Sequence, residues 1–179
     1  MYKILFVCHG NICRSPMAEF VFMDMLKKRG ISGITAQSAA TSTEELENPV
    51  HYGTAAVLRR LGIDYSAKRA RQMTRSDYDE YDLLVGMDSA NIRNMRRIAG
   101  RGDNDGKIFR LLDFTDSARD ISDPWYTGDF ERTYADVTEG CEGLIAHLLR
   151  NERRLRGERR LRGERRLRGE RRLRDGERP

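Results

Sequence analysis

The chain has 179 residues, of which 39% are hydrophobic and 34% are charged, and its formal net charge is +5. Residues 151–179 hold 13 arginines and six acidic residues, whereas residues 1–150 hold 20 basic and 22 acidic residues. The basic excess therefore belongs to the C-terminal segment, and the rest of the chain lacks the charge of a nucleic-acid-binding domain.

Residues 1–150 alternate strand-like and helix-like segments. Ile4–Val7 is a continuous apolar run, typical of a strand buried on both faces, and a helix opens at Ser15-Pro16 and ends at Gly30. The further predicted elements are a strand at 34–39, a helix from Asn48-Pro49 to Gly62, a strand at 82–88, a helix near 89–99, a strand at 107–114 and a helix over about 130–150. This order predicts an α/β fold, a four-stranded parallel sheet with helices on both faces and flavodoxin-like layering. Ligands of such sheets bind beyond the carboxyl ends of the strands.

Residues 151–179 repeat Arg-Arg-Leu-Arg-Gly-Glu with a period of six. In a helix this period scatters the leucines around the axis, so no apolar face forms, and each glycine costs about 1 kcal/mol of helix stability. We therefore expect a domain over residues 1–150 and a disordered or fraying tail after it. A polybasic contact with an acidic partner is the functional alternative.

The chain shows no sign of secretion or of membrane insertion. Its three cysteines are too few for a disulfide framework. The apolar run after Met1-Tyr2-Lys3 is too short for a signal peptide, and no run approaches the roughly 20 residues that cross a bilayer. We expect a cytoplasmic protein without a membrane span.

The segment VCHGNICRSP, residues 7–16, joins the first strand to the first helix. Its Cys-x4-Cys spacing is not a usual zinc half-site, and no second Cys/His pair completes one. A nucleotide-binding P-loop ends in Gly-Lys-Ser/Thr, which Arg14-Ser15 does not supply. A purely structural turn accounts for Gly10 and Asn11, but not for a cysteine followed six residues later by an arginine.

The Cys8-x5-Arg14 spacing fits a loop that holds a tetrahedral anion. Backbone N–H groups that point inward, together with the N-terminus of the following helix, form an anion nest. Arg14 can grip two phosphoryl oxygens, and the positive potential favours the nucleophilic thiolate of Cys8. Gly10 lets the backbone approach the anion, Asn11 can brace the loop, and the Ser15 hydroxyl can donate to the sulfur.

A thiolate that attacks phosphorus needs an acid for the leaving oxygen. Among the 22 carboxylates of residues 1–150, Asp123 in SDPWYTGDF is the best candidate. Pro124 stiffens its loop, and Trp125 and Tyr126 could sandwich an aryl phosphate. An ordinary Asp-Pro turn is the alternative interpretation.

The motifs VCHGNICRSPMAE, QSAAT at 37–41, MD..N at 87–91 and DPW at 123–125 closely resemble those of the low-molecular-weight protein tyrosine phosphatases, over residues 1–150. The resemblance implies the phosphotyrosine phosphatase I-like fold and hydrolysis of phosphotyrosine in proteins without a metal or other cofactor. It implies that Cys8 is the nucleophile, Arg14 the phosphate clamp and Asp123 the general acid and then base. The substrate-binding and loop-ordering residues that it implies are His9, Gly10, Asn11, Ile12, Cys13, Ser15, Ser38, Glu44, Trp125 and Tyr126.

Three alternatives share this loop. Arsenate reductases of similar fold need further redox cysteines, whereas Cys141 falls on the apolar stripe of the last predicted helix. Protein-arginine phosphatases carry Thr where this chain has Ile12, an apolar wall suited to an aryl ring. A non-catalytic phospho-binding module would have no use for Asp123. The residues favour a phosphotyrosine phosphatase.

Two positions refine this prediction. Glu44 stands where relatives often carry an aromatic or apolar residue, and a carboxylate at the pocket mouth predicts a preference for basic peptide flanks. Cys13 is either a small packing residue or the partner of oxidised Cys8 in a protective disulfide.

Overall fold

The computed structural model describes residues 1–100 and 103–151, and residue contacts divide the chain into two units after Leu144. The first unit contains a sheet and its helices. Of the second unit, the described residues 145–151 are helical. Residues 152–179 of the predicted tail lie outside the described residues.

Four parallel strands form one sheet. The strands are β1 (Tyr2–Cys8), β2 (Ile34–Ala40), β3 (Leu83–Gly86) and β4 (Ile108–Arg110), in the order β2-β1-β3-β4. The helices are α1 (Arg14–Lys28), α2 (Tyr52–Arg60), α3 (Arg75–Glu80), α4 (Ser89–Ala99), α5 (Pro124–Thr127) and α6, which begins at residue 130.

Alternate side chains of β1 build the core on both faces of the sheet. Leu5 belongs to a buried cluster with Met95 and Ala99 of α4. Phe6 meets Phe22 of α1 edge to face, with 5.5 Å between ring centroids. Because successive strand residues point to opposite faces, α1 and α4 cover opposite sides of the sheet. The predicted fold class is confirmed.

The predicted start of the second helix at Asn48-Pro49 is wrong. Pro49 instead forms an antiparallel bridge with Arg69, and α2 begins at Tyr52. His51 is the N-cap residue, and its Nδ1 accepts a hydrogen bond from Gly53 N at 3.2 Å. Residues 41–50 are thereby left as a loop beside the carboxyl end of β2.

The predicted strand at 107–114 is shorter than expected. It ends at Arg110, whose backbone N–H donates to the Asp113 carboxylate at 2.9 Å, and a 3-10 turn follows at Leu111–Phe114. Helix α3 was not predicted; at its start the backbone N–H of Thr74 donates to the Asp77 carboxylate at 2.7 Å.

Candidate active site

The loop from Cys8 to Arg14 leaves the carboxyl end of β1 and runs directly into α1. Asn11 adopts a left-handed conformation with φ 59°, which Asn tolerates better than most residues. Its backbone N–H donates to Cys8 Sγ at 3.3 Å, and the Ser15 hydroxyl lies 3.0 Å from the same sulfur. Two polar groups therefore converge on the sulfur of the predicted nucleophile.

The side chain of Asn11 braces the loop from behind. Its Nδ2 donates to Ser15 Oγ at 2.9 Å and to Ser38 Oγ at 2.8 Å, while its Oδ1 accepts from Arg71 N at 3.1 Å. Asn11, Ser15 and Ser38 are all buried. They do not line the pocket, and their hydrogen bonds instead hold the shape of the loop.

An ion pair that sequence reasoning missed extends this brace. Ser38 Oγ donates to Glu19 Oε2 at 2.5 Å, and Lys68 Nζ lies 3.0 Å from the same carboxylate. Lys68 also donates to the carbonyl of Ser38 at 3.0 Å. The side chains of Lys68 and Glu19 are only 12% and 14% exposed, so the pair is shielded from water.

Arg14 forms ion pairs with two carboxylates. Its Nη1 donates to Asp88 Oδ2 at 2.6 Å and to the carbonyl of Ile121 at 3.1 Å. Its Nη2 donates to Asp123 Oδ2 at 2.5 Å. Asp88 follows β3, and no role was predicted for it, although it lies in the MD..N motif at 87–91.

The guanidinium of Arg14 is buried and charged. Burial acts against the charge, but Cys8, Asp123 and Asp88 outweigh it and raise the pKa of Arg14 above its usual value. Arg14 Nε is buried and has no hydrogen-bond acceptor among the residues that the structure describes. This N–H is therefore available to an oxygen of a bound anion.

Asp123 lies at the edge of the pocket with both carboxylate oxygens engaged. One oxygen binds Arg14, and the other accepts from Trp125 N at 3.1 Å, which caps α5. The Asp-Pro turn and the acid role are therefore compatible, because the turn holds the carboxylate in the pocket that Cys8 also lines.

Aromatic side chains form one wall of the pocket. Trp125 and Tyr126 line it together with Ile12 and are 56% and 84% exposed. His51 supports Trp125 edge to face at 5.6 Å between centroids, and it stacks on Phe130 at 5.0 Å. This support by His51 is a third feature that the sequence analysis missed.

Two glutamates stand at the mouth of the pocket. Glu44 Oε2 lies 3.0 Å from Nε2 of His9, and both side chains line the pocket. Glu45, which was not predicted, also lines it, and its carboxylate accepts from Asn48 Nδ2 at 2.6 Å. A Cβ on Gly10 would meet Glu45 Cγ at 3.1 Å, so the aliphatic part of the Glu45 side chain lies against the loop from Cys8 to Arg14.

The remaining cysteines differ in their surroundings. Cys13 is buried and lines the pocket, and burial, followed by the nearby Cys8, raises its pKa to about 12. Cys141 is fully buried, and its sulfur lies 3.9 Å from the carbonyl of Ala18 on α1. Burial also raises the pKa of Cys141. Its packing position agrees with the structural role predicted for it.

Within residues 1–100 and 103–151, no group of three or more His, Cys, Asp or Glu side chains is arranged to hold a metal ion. None of the helices in that part of the chain is both long and apolar enough to cross a membrane.

Comparison with known proteins agrees with this geometry. Residues 3–154 match the family described as low molecular weight phosphotyrosine protein phosphatase. The low molecular weight protein-tyrosine-phosphatase YfkJ of Bacillus subtilis is 42% identical over 156 residues, which cover 86% of this chain and 99% of YfkJ. The low molecular weight protein-tyrosine-phosphatase PtpA of Staphylococcus epidermidis is 36% identical over 152 residues, which cover 84% of this chain and 96% of PtpA.

Solved structures show the same likeness. The crystal structure of YfkJ superimposes with a TM-score of 0.80 at 43% identity, covering 84% of this chain and 96% of that one. The crystal structure of SP-PTP, the low molecular weight protein tyrosine phosphatase of Streptococcus pyogenes, gives a TM-score of 0.72 at 39% identity and covers 83% of this chain and 93% of that one.

Proposed function

The chain belongs to the low molecular weight phosphotyrosine protein phosphatase family, and from that membership we propose that it hydrolyses phosphotyrosine in protein substrates through a phosphocysteine intermediate. The observation that carries the proposal is the convergence of Cys8, Arg14 and Asp123 on one pocket. A binding module would need the first two, but not a carboxylate in the same pocket.

The first displacement follows from these positions. The Cys8 thiolate attacks phosphorus, the P–O bond to the tyrosine breaks, and Asp123 in its protonated form gives its proton to the departing phenolate oxygen. Arg14 and the loop N–H groups neutralise the charge that develops on the phosphoryl oxygens. Asp123 exchanges its contact with Arg14 for the leaving oxygen when the phosphoryl group takes its place.

The second displacement returns the enzyme to its starting state. Asp123, now a carboxylate, accepts a proton from water, and the resulting oxygen attacks phosphorus as the S–P bond breaks. Phosphate leaves and Cys8 recovers its thiolate. The Ser15 hydroxyl, 3.0 Å from Sγ, stabilises the departing sulfur.

The surroundings of the pocket favour an aryl phosphate. Ile12, Trp125 and Tyr126 offer apolar and aromatic surface along its wall. The buried Cys141 offers no accessible thiol for the disulfide relay of an arsenate reductase. We therefore place phosphotyrosine ahead of arsenate and of phosphoarginine.

The proposal includes the arrangement of the chain. We propose that residues 1–150 form the catalytic domain and that residues 151–179 are an appendage able to contact acidic partners. We further propose that the protein acts in the cytoplasm and does not bind nucleic acid. The relatives support this division, because YfkJ is covered over 99% of its length by 156 residues of this chain. Deleting residues 151–179 should leave turnover unchanged; loss of turnover would contradict the division.

Hydrolysis of p-nitrophenyl phosphate in the presence of a metal chelator tests the proposed activity. We expect turnover by the parent protein and none by a Cys8→Ser variant. A parent protein that binds phosphotyrosine peptides but turns over neither substrate would instead be a phospho-binding module.

A further inference from the structure

The mouth of the pocket carries negative charge that the phosphoryl chemistry does not use. Arg14 and the loop N–H groups face the phosphate, whereas Glu44 and Glu45 lie on the rim. Two carboxylates at the entrance repel the phosphate dianion, so they are unfavourable for capture of an isolated phosphate monoester. Their position calls for a positively charged group on the substrate.

The two glutamates are held in different ways. Glu45 is fixed by its stem against Gly10 and by the bond from Asn48, an uncharged amide that leaves its carboxylate negative. Glu44 lies on the neighbouring part of the rim beside His9, and its side chain is 69% exposed. The first is therefore held in place by uncharged neighbours, whereas the second contacts His9 Nε2 at 3.0 Å and is exposed enough to meet a ligand as well.

Exposed aromatic side chains line the same pocket as the two glutamates. Trp125 and Tyr126 line the pocket and are 56% and 84% exposed. A pocket that offers both carboxylates and aromatic rings suits guanidinium and ammonium groups, because the carboxylates pair with the charge and a ring face attracts the cation.

We propose, on the basis of the phosphatase function inferred above, that this rim is a subsite for an arginine or lysine close in sequence to the phosphotyrosine. The phosphotyrosine ring enters the pocket, and the basic side chain lies across the rim between Glu44 and Glu45. A substrate with an acidic residue in that place meets two like charges and binds more weakly.

This subsite can be tested with matched phosphotyrosine peptides. Each peptide carries Arg, Ala or Glu at one position from −2 to +2 relative to the phosphotyrosine, and its other residues are alanine and glycine. We expect kcat/KM to rise about two- to five-fold for Arg over Ala at one or more positions, the size of an exposed ion pair, and to fall by a similar factor for Glu. The preference should shrink as NaCl is raised from 0.05 to 0.5 M.

The Arg-to-Ala ratio within one variant cancels any effect of a substitution on the chemical step. We expect the Glu44→Gln/Glu45→Gln double variant to bring this ratio close to one, and Glu44→Lys to favour the Glu peptide. Glu47→Gln is the matched control, since Glu47 is exposed on the same loop and does not line the pocket; it should keep the parent ratio.

Three outcomes would overturn the subsite: no Arg preference in the parent, a preference for Glu, or a ratio that the double variant leaves unchanged. None of them concerns turnover itself. Failure of the phosphatase function would instead appear as absence of p-nitrophenyl phosphate hydrolysis by the parent, because that substrate has no flanking residues.

Discussion

Arg14 and Asp123 form an ion pair at 2.5 Å between Nη2 and Oδ2, so the proposed phosphate clamp and the proposed acid hold each other. A bound phosphoryl group competes with Asp123 for the same guanidinium nitrogen. The pair therefore keeps Arg14 oriented before substrate arrives and gives Asp123 to the leaving oxygen afterwards.

An Asp123→Asn variant should separate these two roles. We expect kcat to fall by about 10²- to 10⁴-fold with phenyl phosphate, whose leaving group needs a proton, and by less with p-nitrophenyl phosphate. Inorganic phosphate should inhibit the variant at lower concentration, because Arg14 loses its competing carboxylate. Asp116→Asn, at an exposed position, is the control, and equal losses with both substrates would contradict the acid role.

Asp88 should act as a positioning residue through Arg14. Asp88→Asn removes the charge that Arg14 Nη1 meets at 2.6 Å but keeps an oxygen to accept from Asn91 N at the start of α4. We expect kcat/KM to fall about ten- to a hundred-fold, the worth of one hydrogen bond between charged groups, with little change in unfolding free energy. Asp120→Asn nearby should keep parent kinetics; similar losses in both variants would argue against a specific role for Asp88.

Ser15→Ala should slow the release of phosphate from Cys8. The variant loses the hydroxyl 3.0 Å from Sγ, so the thiolate is a poorer leaving group in the second displacement. We expect a pre-steady-state burst of p-nitrophenol followed by turnover about tenfold slower than in the parent. Ser117→Ala, which changes an exposed hydroxyl, should show parent kinetics, and a Ser15→Ala variant without a burst would oppose the assignment.

The Glu19–Lys68 pair should be strongly coupled. Lys68→Met leaves Glu19 shielded and uncompensated, and we expect it to lower the unfolding free energy by about 1–3 kcal/mol. The Lys68→Met/Glu19→Gln double variant should recover part of that loss in urea denaturation. Lys28→Met, which breaks the exposed pair with Asp24, should cost less than about 0.5 kcal/mol. Additive losses at Glu19 and Lys68 would contradict the coupling.

His51 should make stability fall in mild acid. Burial lowers the pKa of His51, with Glu45 acting in the opposite direction. The pKa of histidine in the unfolded chain is about 6.5, so below that pH His51 binds a proton more readily in the unfolded chain than in the folded one. The stabilisation of the folded state by neutral His51 is therefore complete above about pH 6.5 and is lost as the pH falls below it. We expect Tm to drop less between pH 8 and 5.5 in His51→Asn, whose side chain can still cap α2. Parallel Tm curves for the two proteins would contradict this.

The sequence predicted best what is local. The loop from Cys8 to Arg14 spans seven consecutive residues between a strand and a helix, so its spacing alone indicates an anion site. Asp123 could be chosen because proline and two aromatic residues flank it. The start of α2 was misplaced because Asn48-Pro49 has the form of a helix start, whereas the bridge between Pro49 and Arg69 depends on tertiary structure.

The residues that escaped prediction act across long stretches of chain. Asp88 is 74 residues from Arg14, and the hydrogen bond from Lys68 to the carbonyl of Ser38 spans 30. The residues next to Lys68 in the sequence do not show whether this lysine is a shielded partner of Glu19 or an ordinary surface charge. Only the order of strands in the sheet brings these segments together.

The hydrogen bonds of Arg14 to Asp88, Ile121 and Asp123 connect segments that are far apart in the sequence, so the pocket exists only in the folded chain. An oxyanion that binds there binds the folded chain and not the unfolded one, so it draws the folding equilibrium toward the native state by mass action. At a concentration of 100 times its dissociation constant, such a ligand adds about 2.7 kcal/mol. Orthophosphate, the product of the reaction, would thus inhibit turnover while lengthening the lifetime of the protein against heat and proteolysis.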